Sequence, residues 1–131
     1  MTMWMLGLSI LLLAFGGLAV DYWRALALQR ELAAVADSAA VAGASGIDEA
    51  HYRATGEVVL NEARAVDFAH RSVAFQGMPL SDVSVALATG GASVTVVVRG
   101  EVELGLLQLF IGDDEPFHVE ASATAFPLRV P

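Results

Sequence analysis

The sequence contains no cysteine and no lysine. Without cysteine, no disulfide staples the fold and no thiolate acts as nucleophile or metal ligand. Without lysine, a phosphate-cradling GxxxxGK[ST] loop is excluded. The cations that remain are seven arginines, set against fifteen acids. That balance repels nucleic-acid phosphates and anionic lipid headgroups, so no nucleic-acid partner is expected. Proline is missing from Met3 to Ala44, and charge from Met1 to Val20, "MTMWMLGLSILLLAFGGLAV". The first absence leaves nothing to break a helix, and the second leaves a segment with no reason to stay in water.

Motifs for chemistry are also missing. His51, His70 and His118 have no second ligand at a metal-binding spacing, and solvated histidines are the expectation. "DDE", Asp113 to Glu115, lacks the alternating oxygen ligands and glycine turn of a calcium loop and reads as a solvated turn. No GxSxG elbow surrounds a serine, and no Ser-His-Asp set is apparent. The expectation is a structural or interaction protein, with no catalytic residues, metal, cofactor or small-molecule substrate.

The eighteen residues from Met3 to Val20 approach the length that spans about 30 Å of hydrocarbon. Three readings fit such a run: a cleaved signal peptide, a retained single-pass anchor, or the core helix of a soluble protein. A 131-residue chain has too little interior to hide this helix on every face. A signal peptide has a basic start and a nearby small-x-small site, whereas here the nearest such triplet, Ala25-Leu26-Ala27, lies beyond Asp21, Tyr22, Trp23 and Arg24. Tyr22 and Trp23 suit the headgroup layer, where an aromatic body sits in the interface with its polar edge wet. A retained anchor over residues 1–22 is the favoured reading, with lipid as its partner. Counted alone, Arg24 and Arg30 place the C-terminal side in the cytoplasm, while Asp21, Glu31 and Asp37 share that flank.

The helix is expected to continue past the membrane through residues 23–46. Ala25, Leu28, Leu32, Val35, Ala39 and Ala42 advance by three and four, which lines one side with apolar groups. The second half of that stripe is nearly all alanine, so its packing partner can come close. Gly46 is expected to close the helix in a left-handed conformation. Asp48 is a cap for a second helix running from Glu49 to about Phe75, weakened near Gly56 and firmer from Glu57. "GMPLSD" signals a turn, after which the period becomes two. Val83, Val85 and Leu87 make one strand, "TGG" a hairpin, and "SVTVVVRGEVE" a second strand with Gly100 as a bulge. Leu104 to Gly112 reads as a short apolar helix covering one end of the sheet, and "FHVEASATAF" as a third strand. The fold class is therefore α+β: a long N-terminal transmembrane helix continuing into a small pilin-like domain over residues 47–131, its second helix packed on a three-stranded antiparallel sheet.

"LAVDYWRALALQRELAAVADSAAVAGA" resembles the N-terminal signature of the TadE/TadG-like proteins of the tight-adherence, or Flp, pilus assembly system. Asp21, Arg24, Ala25, Asp37, Ala39, Ala40, Ala42 and Gly43 carry the match by position. Asn61 on the second helix and the ending "VEASATAFP" agree more loosely. The resemblance implies a bacterial membrane protein with its C-terminal domain outside the cytoplasm. It would act without enzymatic activity as a minor pilin-like or accessory subunit in pilus assembly or secretion, with other pilus subunits as partners. No glycine is followed five residues later by glutamate, so processing by the prepilin peptidase is not expected. The alternative function is a membrane-tethered extracytoplasmic binding module unrelated to pili. The expected packing or interface residues are Asp21, Arg24, Ala25, Leu28, Leu32, Val35, Asp37, Ala39, Ala42 and Gly43, with Tyr22 and Trp23 at the membrane interface.

Overall fold

In the computed structural model, which describes residues 1–103, 105–112 and 115–128, one helix dominates. Helix α1 runs unbroken from Thr2 to Ala44, 43 residues, or about 65 Å at the α-helical rise. Its most apolar eighteen-residue window has a mean hydropathy of 2.2 and none of it is buried. Among the described residues it is the one helix long and apolar enough to cross a membrane. The core-helix reading fails on that exposure, because a soluble core helix of this composition would be covered.

From Asp21 onward the same helix becomes the centre of a fold. Leu32, Val35, Ala36, Ala39, Ala40 and Ala44 are buried, on a stripe that lies against both a helix and a sheet. The second helix expected from sequence is two. Helix α2 spans Glu49–Thr55 and α3 spans Glu62–Gln76. Gly56 adopts φ 73° and ends α2 in the left-handed conformation, and a separate N-cap, Asn61, starts α3 by accepting the Arg64 N–H at 3.1 Å. The extended stretch between them is held by backbone bonds: Asp48 N–H to Val59 O, Asn61 N–H to Gly46 O, and Leu60 N–H to Gly91 O. Asp48 caps α2 as expected, accepting the His51 N–H at 3.0 Å.

The sheet is antiparallel, ordered β1-β2-β3, with β1 at Asp82–Leu87, β2 at Val94–Val102 and β3 at Phe117–Ala125. Alternation separates its faces. Val94, Val96 and Val98 are buried on the helix side, paired with Ala125, Ala123 and Ala121 of β3 and with Leu87, Val85 and Val83 of β1. The alanine row on β3 lets α1 lie close over β2 and β3, while α3 packs alongside α1 and reaches β1. The outer face is polar: Arg99 bonds Glu120 at 2.7 Å and lies 3.6 Å from Asp82, and the Thr95 and Thr124 hydroxyls are 2.8 Å apart. Glu120, and then Asp82, raise the Arg99 pKa above its ordinary value. An exposed cluster of this kind contributes little to stability.

Two glycines have reasons other than those expected. Gly46 is not left-handed. It is buried against α3, where a Cβ would stand 2.7 Å from the Ala65 backbone nitrogen. Gly100 makes no bulge, since the register runs continuously through Arg99↔Glu120, Gly100↔Val119 and Glu101↔His118. Its missing side chain leaves room for Leu32, whose Cδ atoms would lie 3.3 Å from a Cβ. The "TGG" hairpin forms as expected, with Gly90 and Gly91 at φ 77° and 69°. The short apolar helix is α4, Gly105–Ile111. Leu104, where that helix was expected to begin, and Asp113 and Asp114 of the expected turn lie outside the described residues.

Candidate functional site

The feature that stands out is the surface of α1, and it has three parts. The first is the free apolar half, where Trp4, Leu12 and Phe15 are each more than half exposed. The second is the stripe facing the domain. Leu32, Val35, Ala39 and Gly43 are buried there, and Ala25, Leu28 and Ala42 are half-buried. Gly43 is a point of close approach, because a Cβ on it would stand 3.2 Å from Ala65 O and 3.3 Å from the Val94 methyls. Helix α1, α3 and β2 meet at that position. The third part is the outward face, where Arg24 and Asp37 are exposed, as are Tyr22 and Trp23 nearer the apolar half. Asp37 therefore faces away from its own domain.

Asp21 sits where the free half meets the packed half, and among the described carboxylates it is the buried one. It is only 4% exposed, and its Oδ2 accepts the Leu106 N–H at 3.0 Å. Leu106 belongs to the first turn of α4, where backbone N–H groups lack partners within the helix. A carboxylate there satisfies an orphan donor and complements the positive end of the helix dipole. Gly17, one turn earlier on α1, faces the same residue: a Cβ on Gly17 would overlap Leu106 Cδ1. Glycine and aspartate four positions apart thus form a seat for α4. The sequence marks Asp21 but not its partner, because Asp21 and Leu106 stand 85 positions apart with no periodic signal linking them.

The histidines are dispersed. His51 Nε2 lies 3.6 Å from Glu57 Oε2, and His118 Nδ1 lies 3.5 Å from Glu101 Oε1 on the outer sheet face. His70 is exposed on α3. Among the described residues no group of three or more histidine, aspartate or glutamate side chains is placed to hold a metal ion. A cleft of about 760 Å³ lies at the end of the domain far from the apolar half, lined in part by Tyr52, Arg64 and Phe68.

Fold and site define a class: a small α+β unit built around the far half of a helix whose near half is apolar and uncovered. Residues 1–46 match the family model Tad, described as Flp pilus-assembly TadE/G-like. The matched segment is α1 almost to the residue. No match is found among curated proteins or among solved structures.

Proposed function

We propose that this protein is a membrane-anchored structural or accessory subunit, minor pilin-like in role, of a tight-adherence pilus assembly or secretion system. The apolar half of α1 is its single-pass anchor in a bacterial cell membrane, and the domain lies on the extracytoplasmic side. It carries out no chemical step. The observation that carries this reading is the coincidence of the family match, residues 1–46, with a helix that is uncovered and apolar over one half and core-forming over the other.

Its partners are lipid around the anchor and other pilus subunits on the outward face of α1. The stripe through Leu32, Val35 and Ala39 is occupied by the domain itself. Of the signature positions, Arg24 and Asp37 remain exposed for a neighbouring subunit.

Deleting the chain is expected to abolish or alter surface pili or adherence, and unchanged piliation and secretion would remove the proposal's main support. Asp37→Leu is expected to lower assembly. Glu49→Gln, which alters only a carboxylate 3.6 Å from Arg53 and Arg64 on the surface, is expected to leave it intact. Equal and negligible effects would mean that Asp37 is merely solvated.

A further inference from the structure

We infer that α4 is a second membrane contact, a short interfacial segment that lies in the lipid beside the anchor. The inference rests on the proposed anchor. Helix α4 is seated on α1 at Gly17 and Asp21. Gly17 lies four residues before Asp21 on the apolar side, about 6 Å deeper along the helix axis at the α-helical rise. If Asp21 marks the edge of the span, Leu106 is held just inside the hydrocarbon. That depth matches the 5–10 Å at which interfacial helices rest.

The strand that follows α4 also starts at this junction. β3 begins at Phe117, which shares a surface cleft with Tyr22, Ala25 and Leu26 of α1. A helix of seven residues is only about 10 Å long, so with its first turn seated on α1 at Leu106 all of it stays within about that distance of the junction.

Exposure identifies lipid as the occupant. Leu109, Phe110 and Ile111 are 81%, 70% and 65% exposed. Three consecutive helical residues turn through about 200°. A flat protein surface, whether a second copy or another subunit, covers one side of a helix, whereas acyl chains surround it. Apolar groups of this size left in water on so much of the circumference are unfavourable by their transfer free energy. The neighbouring acids Glu103 and Glu115 are repelled by anionic headgroups, so insertion is driven by apolar contact and needs no anionic lipid.

The absence of native cysteine permits a direct test in the full chain. Single variants Phe15→Cys, Phe110→Cys and Ser122→Cys are labelled with an environment-sensitive fluorophore and reconstituted into phosphatidylcholine vesicles. Nitroxide-bearing lipid is then added, with the nitroxide either near the headgroup or deep in the acyl chain. The label at Phe110 is expected to emit at shorter wavelength than at Ser122, which is exposed on the outer sheet face. It should lose most of its emission to the shallow nitroxide, while Phe15 is quenched by the deep one. Quenching at Phe15 without quenching at Phe110 would overturn the inference and leave the anchor standing. A blue-shifted but unquenched label at Phe110 would equally overturn it, in favour of a protein surface over α4. Absence of quenching at Phe15 would overturn the anchor and the inference together.

Discussion

The two halves of α1 are made of similar apolar material and share one backbone, yet they are stabilised differently. From Thr2 to Val20 large side chains, Leu, Ile, Phe, Met and Trp, project in every direction and are exposed, with Leu106 of α4 reaching this half at Gly17. From Asp21 to Ala44 the residues are mostly small and the covered ones fall on one side. Large groups all round suit a fluid solvent that conforms to any shape. Small groups on one face suit a rigid neighbour that must come close, as Gly43 does between Ala65 and Val94. The size of the side chains, more than their hydrophobicity, separates the uncovered half, the proposed anchor, from the half that meets protein.

The sharpest way to break this contrast is to shorten one leucine in each half. Leu32→Ala, at a site with no exposure, is expected to destabilise the domain by about 2–5 kcal/mol. Leu12→Ala, 65% exposed in the free half, should change domain stability by less than about 0.5 kcal/mol. Denaturant unfolding of both variants in the same detergent or nanodisc measures the difference, and equal losses would contradict the division.

Enlarging a close-contact glycine tests the same point from the other side. Gly46→Ala places a methyl against the Ala65 backbone, which cannot yield as a side-chain tip would, and is expected to cost about 1–3 kcal/mol. Gly16→Ala in the free half meets nothing within 4 Å and should leave the domain unchanged. At the junction, Asp21→Ala removes the bond to the α4 N-terminus, with an expected loss of about 0.5–2 kcal/mol. Faster amide exchange at Leu106, with β2 still protected, would localise that effect. Smallest of all, Asp37→Leu on the exposed face should stay within about 0.5 kcal/mol of the parent in unfolding. Any effect it has on assembly would therefore be separate from stability.

Much of this arrangement is legible in the chain because it rests on periodicity. The three-and-four spacing through Leu28, Leu32, Val35 and Ala39 placed the buried side of α1, and alternation placed Val83, Val85 and Leu87 on one face of β1. Glycine was harder to read, since one residue type serves two purposes that sequence does not distinguish. Gly56 and Gly77 are needed for positive φ, whereas Gly46 and Gly100 are needed because another element approaches. Only the packed structure separates these. Gly56 was underestimated as a single weak position, yet with Asn61 capping a fresh start it divides the expected helix in two. On α3 the covered alanines are Ala65 and Ala69, while Ala63, in the first turn, is exposed. The partner of Asp21 depends on a contact between distant parts of the chain, and local pattern carries no trace of it.

The central position of α1 also bears on the order in which the molecule is made. Residues 32–44 leave the ribosome well before β2 and β3, yet they are covered by Val94, Val96 and Val98 and the alanines of β3. Throughout synthesis of the intervening loop and helices this alanine-rich stretch lacks its sheet cover, with α3 the first element able to pack on it, and the core closes only when the final strand arrives. In the proposed topology, translocation has to deliver nearly the whole domain across the bilayer before its core can close, and a chain halted ahead of Phe117 would leave residues 32–44 without part of their cover.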